Sequence, residues 1–480
     1  MGEIIEHNCG FAVAHTLHNA YNFAKSLQHR GREAAGIAAI GNDRIDVIKW
    51  IGLVEAFDLE DLLDLFPLGS DYHSYMIHVR YATRGRKDRI LEDAHPHVIG
   101  GKVVHKGDHI FIYDCDAAIV ENGQTEISLL EDSINKEFLQ TECDTEAILH
   151  YYMRKGEEEL VRQVPGSYTL AIADKRKKSI IVIRDRNGFK PGVLALKDGK
   201  HVVLSEDVAA HKNDAEVREH LEPGIIYYLS PDGAYIRYKV DIPEESSNLC
   251  MCMFEGNYIA HRESEIFKGI PVGTLRSYLG EEIAQEYGRL NVNIATYSPR
   301  CPWPAAWAYH LKTGVPYDNI FYKKRGERSF LGSTPEDRKK SIDNNLNINP
   351  EKKEKIKGLS LMVIDDSTIR ATVVRRVIQL CEEAGVKSLE YVNYTPPIGI
   401  IKNKIQRGCM YGVDMPPDDD FIARNRTEED ISEYLIETTK TKIKFNMHYL
   451  SIDGMFRAYE RLGFKRDQFC YFCIGGPKTF

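Results

Sequence analysis

The predicted secondary structure changes character near the middle of the chain, at the polar stretch 241–248. Before it, β-branched runs at 180–184 and 201–205 predict short strands, and the stretches 19–28 and 144–155 predict helices. After it, strand and helix patterns alternate, as they do in an open parallel sheet. The chain has 480 residues, which exceeds the size of one usual hydrophobic core. We therefore expect two layered α/β domains joined by a linker, with no internal repeat.

Composition and charge exclude several classes of protein. Hydrophobic residues make up 43% and charged residues 28%, and the net charge of −8 argues against a general binder of nucleic acid or membrane surfaces. No apolar run approaches the roughly 18–20 residues of a membrane span, and residues 1–8 lack the pattern of a secretory signal. Ten cysteines are too few for a disulfide scaffold, so we expect a nucleophile, metal ligands or core residues among them. We expect the cytoplasm as the compartment.

One cysteine lies close to the start of the chain, in the string Asn8-Cys9-Gly10-Phe11. If residues 1–8 are removed as a leader, Cys9 becomes the N-terminal residue. Its own α-amino group, with an unperturbed pKa of about 7.7–8.0, then serves as general base for the thiol. Taken alone, this string favours an ordinary buried cysteine in a first strand.

A second polar segment lies between a predicted strand at 359–364 and a predicted helix at about 373–384. Its polar members are Asp365, Asp366, Ser367, Thr368, Arg370 and Thr372. A strand-to-helix junction offers backbone N–H groups and the positive end of a helix dipole, which favour an anion such as phosphate. The adjacent carboxylates suit ribose hydroxyls or Mg²⁺. A helix cap without any ligand is the alternative that this string alone leaves open.

Two resemblances follow from these strings. The segment 363–372 resembles the phosphoribosylpyrophosphate (PRPP) motif of type I phosphoribosyltransferases, and the first half resembles an N-terminal-nucleophile glutaminase. Together they resemble the glutamine PRPP amidotransferase family nearly from end to end. The resemblance implies a removable leader at 1–8, a four-layer αββα glutaminase domain at 9–245, and a phosphoribosyltransferase-like domain with a mainly parallel sheet at 246–480.

The resemblance implies a role for five residues of the glutaminase half. Cys9 matches the nucleophile, and the string Glu121-Asn122-Gly123-Gln124 matches an oxyanion-hole turn in which the Asn122 side chain and the Gly123 N–H are the donors. Arg80 matches the arginine that binds the glutamine α-carboxylate, a group that arginine can hold with two charge-assisted hydrogen bonds. Asp144 matches the aspartate that binds the substrate ammonium.

For the second half the resemblance implies a PRPP site with Mg²⁺ held at Asp365 and Asp366. The implied PRPP-binding residues are Asp365, Asp366, Ser367, Thr368, Arg370 and Thr372, together with Arg325 and Arg328 of a loop at 322–330 that closes over PRPP.

Four cysteines of the second half form a further candidate site: Cys252, Cys409, Cys470 and Cys473, of which the last two form a CxxC. Four thiolates suit either a four-iron four-sulfur cluster or a structural zinc ion, and the spacing alone does not choose between them. The positions match those of family members that contain the iron–sulfur cluster, so the resemblance favours iron.

The transferase half departs from the family pattern at the loop that binds pyrophosphate. The family string Val-Pro-Asp-Ser-Gly corresponds here to 298–302, with Arg300, Cys301 and Pro302 in place of Asp, Ser and Gly. Proline removes an N–H and fixes φ, so this loop cannot surround pyrophosphate in the same way. In the PRPP motif, Ala371 and Val373 replace a glycine and a threonine.

The resemblance implies an amidophosphoribosyltransferase that forms 5-phosphoribosylamine, glutamate and pyrophosphate, the first step of de novo purine synthesis. It further implies a homodimer or homotetramer and purine nucleotides as inhibitors. The altered loop at 298–306 leaves two alternatives: a glutaminase that passes ammonia to a different acceptor, and a non-catalytic regulatory paralogue that binds a nucleotide.

Overall fold

The structure is a computed structural model that describes residues 9–66, 71–81, 89–125, 139–141, 143–243, 249–266, 269–323, 345–409, 412, 415 and 417–478. Within these ranges, no helix combines the length and the apolar character needed to cross a membrane.

Two antiparallel sheets dominate the first half. Its strands are β1 (Gly10–Ala14), β2 (Ala34–Ile40), β3 (Ile45–Ile51), β4 (Ser74–Arg80), β5 (His97–Ile99), β6 (Lys102–Lys106), β7 (His109–Tyr113), β8 (Ala117–Thr125), β9 (Gly166–Asp174), β10 (Ile180–Arg184), β11 (Val193–Lys197), β12 (Lys200–Leu204), β13 (Glu216–His220), β14 (Ile225–Leu229) and β15 (Tyr235–Lys239). Its helices are α1 (Leu17–Ser26), α2 (Leu59–Leu65), α3 (Asp144–Lys155), α4 (Glu157–Gln163) and α5 (Val208–His211), with a 3₁₀ turn at Val54–Ala56. The sheet orders are β13-β11-β12-β1-β4-β2-β3-β7-β6 and β15-β14-β10-β9-β8-β5.

The two sheets pack face to face between two layers of helices. Alternation along β1 shows how: Phe11 and Val13 point into the core between the sheets, whereas Ala12 and Ala14 pack with α1. The second sheet buries its other face against α3 and α4, where Ile172 belongs to the core. These three cores confirm the predicted αββα layers.

A four-stranded parallel sheet, in the order β17-β20-β21-β24, forms the centre of the second half. Its strands are β16 (Met251–Cys252), β17 (Ile294–Tyr297), β18 (Phe321–Lys323), β19 (Leu346–Ile348), β20 (Ser360–Asp365), β21 (Ser388–Asn393), β22 (Ile401–Lys402), β23 (Ile405–Gln406), β24 (Lys444–Tyr449) and β25 (Phe469–Cys470). Its helices are α6 (Val272–Tyr287), α7 (Trp303–Thr313), α8 (Pro350–Lys353), α9 (Thr372–Glu383), α10 (Glu428–Thr439) and α11 (Ile452–Glu460). A π-helical turn spans Glu255–Ile259, and 3₁₀ turns lie at Arg466–Gln468 and Phe472–Ile474.

Helices cover both faces of this parallel sheet, as its almost wholly apolar central strand requires. Along β20, Met362 and Ile364 belong to the core shared with α6, α7 and α11, whereas Leu361 and Val363 belong to the core shared with α9 and α10. The carboxyl end of β20 therefore lies between the two helical layers, where an α/β sheet usually binds its ligand.

The predicted elements lie close to the observed ones. The helix predicted at 144–155 has those bounds, while the one predicted at 19–28 begins earlier, at Leu17. The reason is a helix cap: the Thr16 side chain accepts a hydrogen bond from Asn19 N at 3.1 Å, which fixes the first turn. In the second half, the strand and helix predicted at 359–364 and about 373–384 are β20 and α9, each displaced by one residue.

Candidate active site

The predicted nucleophile lies immediately before the edge where β1 meets β4. Gly10 pairs with Val79, so Cys9 lies beside Arg80 at the end of β4, and Cys9 Sγ donates a hydrogen bond to Tyr81 O at 3.6 Å. Burial raises the pKa of the Cys9 thiol, and the nearby charge of Arg80 opposes that shift only in part. The thiol therefore stays protonated at neutral pH, and attack on a substrate requires a base.

A buried arginine that sequence reasoning missed holds this region together. Arg30 donates to Cys9 O at 3.2 Å and to Asn122 Oδ1 at 3.4 Å. Its guanidinium also pairs with the carboxylates of Glu206 and, at 3.2 Å, Glu255. Burial lowers the pKa of Arg30, but these two carboxylates outweigh that effect and raise the pKa overall. Arg30 is therefore a permanent cation that connects the nucleophile strand to β8.

The predicted oxyanion donors lie on β8. Asn122 is fully buried, and among the described residues its Nδ2 has no hydrogen-bond partner. Gly123 has no room for a side chain, because a Cβ there would lie 2.0 Å from Ser167 O on β9. An unpaired buried amide costs free energy, so its persistence here indicates a donor directed at a ligand.

The two predicted glutamine-binding residues are both held by neighbours. Asp144 opens α3, where its carboxylate accepts from Thr125 N at 2.6 Å and Thr145 N at 3.1 Å. Arg80 is almost fully buried, 3.7 Å from Asp93 and 3.9 Å from Glu33. A bound α-amino acid would therefore meet a buried cation and a carboxylate at the start of a helix.

Glu121, which precedes Asn122, is a second buried group that sequence reasoning gave no role. Thr145 Oγ1 donates to its Oε2 at 2.5 Å, and among the described residues its Oε1 has no partner. Burial first, and then the negative charge of Asp144, raise the pKa of Glu121 well above its usual range. Glu121 is therefore a buried acid with a raised pKa beside the two predicted oxyanion donors.

The predicted PRPP segment forms a loop between β20 and α9. Burial raises the pKa of both Asp365 and Asp366, and the charge of Asp365 raises that of Asp366 further. Tyr391 Oη donates to Asp365, and Ser367 Oγ donates to Asp366 at 2.7 Å. Two buried acids side by side are the environment that a divalent cation or a pair of hydroxyl groups stabilises.

The remaining predicted residues of this loop are bound by neighbouring side chains or lie at the start of α9. Thr368 Oγ1 donates to Asn393 Oδ1 at 3.0 Å, and Arg370 pairs with Asp418 at 3.0 Å. Ala371 adopts φ +62° and ψ +25° immediately before the helix begins at Thr372. Glycine is the residue that adopts this left-handed conformation without strain.

The altered loop lies against the same carboxylates. Ser298 N donates to Ile364 O at 2.9 Å, next to Asp365. Cys301 Sγ lies 3.3 Å from Tyr394 Oη and 3.3 Å from Asn257 O. Burial raises the pKa of the Cys301 thiol, and the negative charge of Asp366 adds to that rise. Arg325, Arg328 and the leader 1–8 lie outside the described residues.

The four predicted metal-binding cysteines converge. Cys252 pairs with Cys470 across the β16–β25 ribbon, and a Cβ at Gly412 would lie 2.7 Å from Cys252 Sγ and 3.9 Å from Cys409 Sγ. Burial, and after it the charges of Cys409, Cys470 and Cys252, raise the pKa of the Cys473 thiol well above its usual range, so the four side chains lie close together. Among the described residues no three of these sulfurs lie within 4.8 Å of one another, whereas one zinc ion holds its thiolates about 3.8 Å apart.

A buried ionic network joins the two halves of the chain. Glu255, on the π-helical turn, accepts from Arg30 at 3.2 Å and from Lys190 Nζ at 3.1 Å. Lys190 also donates to Gly412 O at 2.5 Å, beside Cys252. Glu206 accepts from His261 N at 2.7 Å and from the Ser264 hydroxyl.

The same turn reaches the other site. The carbonyl of Asn257 accepts a hydrogen bond from Tyr394 Oη at 2.6 Å and another from Cys301 Sγ at 3.3 Å. The π-helical turn therefore contacts the surroundings of Cys9 through the side chain of Glu255 and the surroundings of Asp366 through its backbone.

Comparison with known proteins agrees with this arrangement. Residues 113–235 match the family described as a glutamine amidotransferase domain. The amidophosphoribosyltransferase of Archaeoglobus fulgidus is 30% identical over 469 residues, which cover 95% of this chain and 93% of that protein. The one of Methanothermobacter thermautotrophicus is 29% identical over 461 residues, covering 94% and 88%.

Two solved structures share the fold. Glutamine PRPP amidotransferase from B. subtilis, complexed with ADP and GMP, aligns with a TM-score of 0.78 at 23% identity and covers 98% of this chain and 97% of its own. A structure described as the allosteric regulatory enzyme of purine biosynthesis aligns with a TM-score of 0.76 at 22% identity, covering 98% and 96%.

Proposed function

Because this chain belongs to the amidophosphoribosyltransferase family, we propose that it hydrolyses glutamine at Cys9 and transfers the ammonia to PRPP, the first step of purine biosynthesis. The observation that supports both reactions on one chain is the ionic network through Glu255. It connects the surroundings of Cys9 to the π-helical turn beside the second site. We place the glutaminase domain at 9–245 and the transferase domain at 246–480, with 1–8 as the leader.

In the first reaction, removal of the leader frees the α-amino group of Cys9, which takes the thiol proton as the sulfur attacks the amide carbon. The amine returns the proton to the leaving ammonia, and water then hydrolyses the thioester to glutamate. Asn122 Nδ2 and the Gly123 N–H stabilise the oxyanion, a contribution of about 3–4 kcal/mol per donor in comparable sites. Arg80 binds the substrate α-carboxylate and Asp144 its ammonium.

In the second reaction, ammonia attacks the ribose C1 of PRPP and pyrophosphate leaves. Asp365 and Asp366 would hold Mg²⁺ or the ribose hydroxyls, and Mg²⁺ supplies compensation for the pyrophosphate charge when bound. The further PRPP-binding residues proposed are Ser367, Thr368, Arg370, Thr372, Arg325 and Arg328. Of these, Arg370 is paired with Asp418 and would have to exchange that carboxylate for a phosphate.

We propose that Cys252, Cys409, Cys470 and Cys473 hold a four-iron four-sulfur cluster, because their sulfurs converge at a spacing wider than one zinc ion allows. The cluster would tie the C-terminal CxxC to β16, close to Lys190. Purine nucleotides are proposed as inhibitors, and a homodimer or homotetramer as the assembly. The cytoplasmic compartment stays a prediction.

The test is pyrophosphate release by anaerobically purified, leader-processed protein given glutamine, Mg²⁺ and PRPP. We expect release that requires PRPP and accepts either glutamine or ammonium as nitrogen source. Cys9→Ala should abolish the glutamine-dependent reaction and preserve the ammonium-dependent one, because only the first needs the thiol.

A glutaminase that serves another acceptor is the second candidate, favoured by one observation. Cys301 replaces a serine of the family's pyrophosphate loop, and its Sγ contacts Tyr394 Oη and Asn257 O. Pro302 has no N–H to donate. Glutamate formation without pyrophosphate in the same assay would contradict PRPP as the acceptor and support this second candidate.

A further inference from the structure

Three side chains with metal-binding atoms meet in the interior of the first half, outside the proposed reaction and away from the four cysteines. They are His95, His97 and Cys143, and one ligand atom from each lies within 4.8 Å of those of the other two. His95 Nε2 and Cys143 Sγ are 3.8 Å apart. We propose that these three side chains form a binding site for one transition-metal ion of the zinc class.

The nitrogen atoms are available for a ligand. His97 is almost fully buried, and its Nε2 has no hydrogen-bond partner among the described residues. The ring makes a hydrogen bond to the Asp93 backbone instead, an arrangement that leaves the Nε2 lone pair for a metal ion. His95 faces Cys143 with its Nε2, which lies 3.8 Å from Cys143 Sγ and 3.3 Å from Thr145 Oγ1. An orphaned nitrogen such as His97 Nε2 in a closed interior indicates a missing partner.

The distances are close to those of a tetrahedral site. Zinc–nitrogen and zinc–sulfur bonds of about 2.0 and 2.3 Å place neighbouring ligand atoms roughly 3.3–3.8 Å apart. The His95–Cys143 pair is already at that separation, and the third ligand atom needs to approach by about 1.5 Å at most. Two imidazoles and one thiolate suit Zn²⁺, with a fourth position left open.

The surrounding charges can accommodate the ion. Both histidine rings are almost fully buried, and imidazole binds a metal ion in its neutral form. The thiol of Cys143 loses its proton to solvent on binding, so the ion and its thiolate together add one positive charge. Two cations, Lys49 and Arg80, are already close to this cysteine. Three acids balance them: Asp93, Asp144 and Glu146.

A metal ion here would stiffen the part of the molecule that holds β8 and α3 together. Cys143 precedes Asp144, the first residue of α3. The His95 ring stacks on His78 at 4.0 Å, and His78 bonds to Glu121 O at 2.9 Å. The ion would therefore fix the start of α3 against the strand that contains the oxyanion donors. Binding of the ion itself does not depend on the reaction that the enzyme catalyses.

The experiment is zinc uptake by the intact iron-loaded protein, read by elemental analysis after removal of unbound metal. We expect about one zinc per chain in addition to the iron, lost in Cys143→Ala and in His97→Asn. Cys115→Ala is the matched control, since Cys115 is a fully buried cysteine of the same half outside the site. It should keep the zinc.

Zinc X-ray absorption on the unmodified protein gives a second readout that does not depend on the folding of any variant. One sulfur at about 2.3 Å with two or three nitrogen or oxygen atoms at about 2.0–2.1 Å supports the site. Four sulfur ligands would place the zinc at Cys252, Cys409, Cys470 and Cys473 and overturn the proposal. So would an uptake below about a tenth of an equivalent, or equal uptake by wild type and Cys143→Ala. None of these results bears on pyrophosphate release, so the two proposals fail separately.

Discussion

Replacement of Glu255 by glutamine tests the ionic network between the two halves. The carboxylate is almost fully buried and accepts from Arg30 at 3.2 and 3.3 Å and from Lys190 Nζ at 3.1 Å. Glutamine preserves the shape and one acceptor oxygen but removes the charge, so two buried cations lose a counter-ion. Removing one partner of a buried ion pair costs about 3–5 kcal/mol. Since one acceptor remains, we expect about 3 kcal/mol, a factor of roughly 150 in the folding equilibrium.

The assay is urea unfolding at neutral pH, followed by tryptophan fluorescence, which reports Trp50 in the first half and Trp303 in the second. Glu282→Gln is the matched control. Glu282 is also nearly buried and accepts from Arg457 Nε at 2.7 Å, but the side chain of that arginine is 38% exposed and water can replace the carboxylate. We expect at most about 1 kcal/mol for the control. A loss below about 1 kcal/mol for Glu255→Gln, or one no larger than the control's, would refute the assignment of this network as a buried junction.

Three further outcomes follow from single residues. Asn122→Ala should lower the glutaminase kcat by about 10²–10³ while ammonium-dependent pyrophosphate release stays unchanged, and equal losses in both assays would contradict an oxyanion role. Ala371→Gly should stabilise the protein by about 0.5–1 kcal/mol in thermal unfolding, because it relieves the left-handed conformation, whereas Ala384→Gly at a right-handed position should destabilise it by a similar amount. The pKa of His261 is lowered to about 4, first by burial and then by His29. The unfolded chain protonates His261 below about pH 6.5, whereas the folded protein keeps it neutral down to about pH 4. The free energy of unfolding therefore falls as the pH is lowered from about 6.5 towards 4. Wild type should therefore lose about 2 kcal/mol more than His261→Gln across this range, a figure reduced because a quarter of the side chain is in water.

The sequence allowed the elements around each site to be predicted because their signals are local. A continuous apolar run followed by a polar segment marks the end of β20 and the start of α9, and α3 has the predicted bounds. Many short strands with helices between them indicate layered α/β packing, and the family resemblance implied the four αββα layers. The beginning of α1 was missed by two residues because the cap at Thr16 outweighs the apolar pattern that suggested residue 19.

The connections between sites could not be predicted in the same way. Arg30 lies 176 positions from Glu206 and 225 from Glu255, and no periodic pattern links residues so far apart. The raised pKa of Glu121 could not be predicted for a different reason. A glutamate in an alternating strand is normally ionised and exposed, and only burial beside Asp144 raises the pKa of this one. Long-range charge pairing and desolvation are properties of the folded chain.

The π-helical turn Glu255–Ile259 has a thermodynamic consequence. A segment that contacts the surroundings of both sites transmits a change in either direction, since binding free energies are state functions. If occupation of the second site shifts this turn and tightens glutamine binding tenfold, a coupling of about 1.4 kcal/mol, then glutamine must tighten the second ligand by the same factor. Reciprocity of this kind would limit hydrolysis of glutamine when no acceptor is present, so that nitrogen is released where it can be used.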